Sequence, residues 1–192
     1  SSTQFLVKAI RGDGYNKGFN LDIWEADFNQ IEHQVLNPKS ELYDFKPEII
    51  IIFQSSHKLL QKYNKLALEE YSNLATSELE LSQNLFSNIT DNLNAKIIYY
   101  NYTEINDFVF GNFANKTESS FIFQLRKLNY DLMLLASRKS NLFLCDISSV
   151  QNKVGKEYFF KPSIYINTEM IFSIDVLPEI ASITTDLICS LN

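Results

Sequence analysis

The chain is 192 residues long, 45% hydrophobic and 21% charged, with a net charge of −6. This length suits one domain with a substantial core, and its Lys and Arg are scattered rather than gathered in a stripe, so nucleic acid is not an expected partner. No stretch reaches the roughly 20 apolar residues of a membrane span and none reads as a signal peptide, so no membrane is expected and a cytoplasmic location is.

Residues 3–17 predict a helix with Phe5, Leu6, Ala9 and Ile10 on one face and Gly12, Gly14 and Gly18 at its fraying end. Phe19 to Glu25 alternates with period two and predicts a strand. Asp27 is expected to cap a short helix through Phe28, Ile31, Val35 and Leu36, and Leu42, Tyr43 and Phe45 to form another.

Ile49-Ile50-Ile51-Ile52-Phe53 is an unbroken β-branched run, the pattern of a central parallel strand buried on both faces. In open α/β sheets ligands bind beyond the carboxyl ends of the strands, where this one delivers Gln54, Ser55, Ser56 and His57. A long helix is expected over residues 66–87, with Tyr71, Leu74, Leu81 and Leu85 inward and Glu69, Glu70, Glu78 and Glu80 mostly outward. Lys96–Asn101 predicts the next strand, residues 119–138 a helix, Asn141–Asp146 a strand, and residues 173–191 a last helix with Pro178 in or near its first turn. Cys145 and Cys189 fall in apolar elements and read as buried free thiols of a reducing compartment. No pair of Cys or His has metal-ligand spacing.

Strand and helix alternate, so the expected fold is α/β: a three-layer α/β/α sandwich with a mostly parallel, flavodoxin-like sheet. Such folds open on a strand, whereas this chain opens on a helix, so its first strand is expected to be missing from the chain.

This arrangement, with Glu25-Ala26-Asp27-Phe28-Asn29-Gln30, the run Leu42 to Glu48, the Ile strand, Tyr99-Tyr100-Asn101-Tyr102 and Tyr165 to Met170, resembles the N-terminal domain of FkbH-like proteins. These are bacterial HAD-superfamily (subclass IIIC) phosphatase-like proteins whose N-terminal domain looks like an SGNH hydrolase. The resemblance implies one SGNH-like domain over residues 1–192, with a HAD domain following residue 192. It implies no cofactor in this domain, Mg being expected only for the HAD domain. The implied partners are the HAD domain of the same chain and an acyl carrier protein or acyl substrate.

The SGNH pattern fits incompletely. Ser1-Ser2-Thr3 matches the end of Gly-Asp-Ser-x-Thr, placing Ser1 as nucleophile. Ala26-Asp27-Phe28-Asn29 stands where an oxyanion-hole glycine belongs, leaving Asn29 as a donor. Gln54 to His57 stands in place of Gly-x-Asn-Asp, and Lys161 to Tyr165 lacks the acid and histidine of Asp-x-x-His. A serine without its base and orienting partner is a poor nucleophile.

The candidate catalytic residues are therefore Ser1 and His57, and the candidate substrate-binding residues Asn29, Ser55, Ser56 and Asn101. Against these stand plainer roles: Ser55 or Ser56 as helix caps, His57 bonding a neighbouring carbonyl, and Asn29 and Asn101 as turn residues. The first expectation is a non-hydrolytic accessory domain that binds or positions an acyl or carrier-linked substrate for the HAD domain. The alternatives are an active esterase or acyltransferase using Ser1 with His57, and a structural docking or dimerisation domain.

Overall fold

In the computed structural model, residues 3–27, 29–105, 107–162, 165 and 170–191 are described. The chain is an α/β protein with a three-strand parallel sheet flanked by helices, the expected class. It divides into two compact units, Pro47–Leu144 and Ser1–Lys46 with Cys145–Asn192.

The unit Pro47–Leu144 holds the sheet. β1 (Ile49–Ile52), β2 (Lys96–Tyr100) and β3 (Leu142–Cys145, whose last residue belongs to the other unit) lie in the order β1-β2-β3. β1 pairs in parallel with β2, in a register running from Ile49 opposite Lys96 to Ile52 opposite Tyr99. The Ile run is thus not the central strand. Ile50 and Ile52 are buried but Ile51 is exposed, so one face of β1 is open along its middle. The strand buried past its first residue is β2, where Lys96 is exposed but Ile97, Ile98, Tyr99 and Tyr100 have no exposed surface. Burial here follows position in the sheet: among the described residues β2 has a strand on each side and β1 on one.

Helices α4 (Ser56–Tyr63), α5 (Leu74–Asn92) and α6 (Phe121–Ala136) complete this unit. The expected long helix begins with a 3₁₀ segment, Leu68–Asn73, and turns α-helical at Leu74. Gln124 on α6 accepts from the backbone of Ala75 at 2.9 Å and donates to the Glu118 carbonyl at 2.8 Å. Phe86, Phe121, Leu125 and Leu132 fill the interior at full burial. Leu81, expected inward, is exposed.

The loop after β2 is closed at its base by Arg126. Its guanidinium meets the Glu104 carboxylate at 2.6 and 3.1 Å and also donates to Asn115.

In the other unit, α1 (Gln4–Asn16) packs on α9 (Leu177–Leu191), with Pro178 in the first turn of α9 as expected. Lys17 Nζ ties the pair together, reaching Asp13 at 2.8 Å, Thr185 Oγ1 at 2.7 Å and Asp186 at 2.6 Å. The alternating segment from Phe19 to Glu25 forms no strand. Its period-two pattern survives as alternating burial only from Phe19 to Ile23, where Phe19, Leu21 and Ile23 are half-buried and Asn20 and Asp22 exposed; Trp24, half-buried, and Glu25, exposed, break it. What the alternation encodes is one covered face; a ladder also needs a partner backbone, and among the described residues none pairs with it. Phe19 and Leu21 lie so close to Gly14 that a Cβ there would stand 3.0–3.1 Å from their side chains.

Asp27 is not the cap of α2 (Ile31–Leu36): Gln30 occupies that position, and no side chain caps the helix. After α3 (Glu41–Phe45) the chain passes into the sheet, with the Trp24 and Phe45 rings 6.4 Å apart. Asp146 does cap α7 (Ile147–Val154), accepting from the Ser149 amide at 3.0 Å. α8 (Lys156–Phe159) follows, its Phe159 ring edge-on to Phe172 at 5.5 Å. Both cysteines are free, but only Cys145 is buried; Cys189 is exposed on α9. No helix of the described residues is long and apolar enough to cross a membrane.

Candidate functional site

The carboxyl ends of β1 and β2 bring four of the sequence candidates into one unit, Ser55, Ser56, His57 and Asn101. Ser1 lies outside the described residues, as do Ser163, Ile164 and the run 166–169. Asn29 belongs to the other unit, where it occupies an exposed turn with φ of 64°, a backbone region that asparagine tolerates better than most residues.

Ser55 is the N-cap of α4. Its backbone is extended, and its Oγ accepts from the amides of His57 at 3.2 Å and Lys58 at 3.5 Å. Capping satisfies donors that the first helical turn leaves open. Ser56 Oγ donates to the Thr103 carbonyl at 2.7 Å, joining α4 to the chain just beyond β2. Both hydroxyls are buried and both hold the backbone in place. His57 is half-buried on the first turn of α4, and burial pushes its pKa below the ordinary 6.5, so the imidazole is neutral at neutral pH. Asn101 leaves β2 immediately after Tyr100 and is half-buried.

Beside these residues lies a polar network that sequence reading did not single out. Gln54 Oε1 accepts from Tyr102 Oη at 2.6 Å and Tyr99 Oη at 3.1 Å, and the two hydroxyls are 3.0 Å apart. Burial pushes the Tyr99 phenol up to about 12; the Tyr102 and Ser82 hydrogen bonds act the other way, and the Glu78 charge adds to the rise. Tyr102 is also raised well above the ordinary phenol value, by burial first and then by Tyr99. Both are neutral donors at any physiological pH.

Glu78 is the surprise of the acidic helix face: it is 8% exposed, with its carboxylate paired to Lys62. Asn129 on α6 fixes the far side, its side-chain amide accepting from the Tyr102 backbone N–H at 2.9 Å and donating to the Tyr102 carbonyl at 2.8 Å.

The sequence signal for this network was the tyrosine spacing at 99 and 102 together with Gln54 at a strand tip. Glu78 left no such signal, since it sits in a run of glutamates that are otherwise exposed. Chemically, the strand ends present buried neutral hydroxyls and a neutral imidazole, and the Ser55 and Ser56 hydroxyls are bound to backbone. Among the described residues no three His, Cys, Asp or Glu side chains are grouped so as to hold a metal ion.

A family model described as "FkbH, N-terminal domain" matches residues 1–189. Among solved structures, the chain is similar to the N-terminal part of a protein from Bacteroides fragilis, described as containing a phosphatase domain complexed with Mg. The two are 40% identical with a TM-score of 0.93, over 100% of this chain and 50% of that one. The chain thus spans half the length of the solved chain it matches. No curated protein matches.

Proposed function

Because this chain belongs to the family of FkbH N-terminal domains, we propose that it is a non-hydrolytic, SGNH-like accessory domain that positions an acyl or carrier-protein-linked substrate for a HAD phosphatase-like domain of the same polypeptide. The non-hydrolytic part rests on the acid and histidine of Asp-x-x-His that are missing between Lys161 and Tyr165, and the serine hydroxyls at the tip of β1 supply no nucleophile in place of Ser1. Ser55 accepts from two helix amides, and Ser56 gives its proton to the Thr103 carbonyl. A nucleophilic serine must instead give its proton to a base. The positioning part rests on fold and company: strand ends of an α/β sheet are where ligands sit, and the solved relative is described as containing a phosphatase domain. In this reading Mg²⁺ is bound by the phosphatase-like domain, and no step runs through a metal in this one.

The residues here act by shape and hydrogen bonding. Asn101 supplies an amide beside the strand tips, and the neutral His57 offers the site a polar group without a charge. The Tyr99–Tyr102–Gln54 network keeps the strand ends from spreading.

Calorimetric titration of the full-length protein with an acyl-pantetheine thioester tests the proposal. Saturable binding that weakens in Asn101→Ala is expected. A flat titration contradicts it.

A further inference from the structure

Singly exposed apolar side chains are ordinary on a protein surface, whereas a contiguous stripe marks an interaction site. On α6, Tyr130 is 59% exposed, Met133 60% and Leu134 37%. Spaced i, i+3 and i+4, they share one face of the helix. Tyr and Met are enriched at protein interfaces, Met because its flexible thioether adapts to a partner's contours.

The charge around this stripe is opposite to that of the chain. Residues 121–139 carry Arg126, Lys127, Arg138 and Lys139 against Asp131 alone, in a chain of net charge −6. Arg126 is held by Glu104, and Lys127 by Asp131 at 2.9 Å. That leaves Arg138 and Lys139, which enter no ion pair among the described residues and stand just past the helix end, with Arg138 four residues beyond Leu134. Two cations there complement the negative end of the helix dipole, but that role calls for no apolar stripe beside them.

We propose that the C-terminal half of α6 is a docking surface for a partner protein that presents an amphipathic helix with carboxylates beside apolar side chains. Tyr130, Met133 and Leu134 receive the apolar side chains, and Arg138 and Lys139 the carboxylates. Charge selects this occupant: a second copy of the chain brings six net negative charges of its own but also its own exposed cations, and an apolar helix without carboxylates leaves Arg138 and Lys139 unused. The inference rests on the carrier-linked reading above only for its choice of probe.

The probe is an apo acyl carrier protein, a small acidic helical protein without its prosthetic arm, titrated against the full-length protein and followed by fluorescence anisotropy. Saturable binding is expected, weakened about tenfold or more in Met133→Glu and in the double variant Arg138→Glu/Lys139→Glu. Rising salt is expected to weaken it too, as the screening length falls from about 30 Å at 0.01 M to about 8 Å at 0.15 M. A single cooperative thermal transition in each variant, shifted by no more than a few degrees in the double variant that loses its helix-dipole complement, shows that the fold is intact. Absent binding, or binding indifferent to these variants, overturns the proposal. So does self-association lost in the same variants, which assigns the surface to a second copy. Failure here together with intact binding of the acyl-pantetheine thioester removes the docking surface alone; the reverse result removes the substrate site alone.

Discussion

At the scale of single residues, the tip of β1 is governed by Gln54. One carbonyl oxygen accepts from two buried phenols, so removing it takes an acceptor from both inside a buried network. Gln54→Ala should lower the unfolding free energy by about 2 kcal/mol in urea titration, the usual range for stranded buried donors. Tyr99→Phe, which removes a donor rather than stranding one, should cost less. The phenols also set an alkaline limit. Tyr63 and Tyr99 are both raised from 10 to about 12 by burial, so the unfolded chain loses protons first as pH climbs. Their stabilisation is complete below pH 10 and is lost as pH rises toward 12, and Tyr99→Phe should flatten that loss in a pH series of unfolding curves.

His57 works on the acid side. Its folded pKa lies below 6.5, so the unfolded chain takes up the proton first as pH falls. Stability is full above 6.5 and declines toward the lower folded value, a decline that His57→Gln should reduce. Sequence reading offered Ser55 and Ser56 as helix caps or as substrate-binding residues and could not choose between the two, since the difference lies in which backbone groups the fold brings within reach. Glu78 shows the same limit: nothing local separates a glutamate buried against Lys62 from its exposed neighbours.

Among elements, α4 shows how a site-like sequence serves the scaffold. Ser55 caps the helix with two accepted amides, so Ser55→Ala should cost about 1 kcal/mol of stability, the usual worth of an N-cap. Substrate affinity should be unchanged in the same variant; a loss of affinity without loss of stability would assign Ser55 to binding. Helices were legible because their periodicity is local: α6, α9 and most of α5 lie where apolar spacing placed them. Strands were less so. The Ile run has the strongest β pattern in the chain yet forms β1, with Ile51 exposed, while the next strand is covered from Ile97 to Tyr100. Strand order is decided by crossovers and partners, which hydrophobicity does not record. Phe19 to Glu25 makes the same point in reverse, with alternation present and no ladder formed.

Taken whole, the chain reads as a family domain whose fold was more legible than its chemistry. The α/β class followed from alternating elements, and the FkbH resemblance from short segments such as the Tyr99 to Tyr102 run; the family match covers residues 1–189. What the sequence left open was whether Ser1 and His57 act on a substrate, and which of the strand-tip residues touch one. At the tip of β1, Ser55 accepts from the His57 amide and Ser56 donates to the Thr103 carbonyl, so both hydroxyls bond the backbone. The claim that the domain holds substrate without hydrolysing it is tested most directly by the rate at which the full-length protein cleaves p-nitrophenyl acetate and acyl-pantetheine thioesters. No turnover above that of the Ser1→Ala and His57→Ala variants is expected; turnover that either substitution abolishes would make the domain a hydrolase.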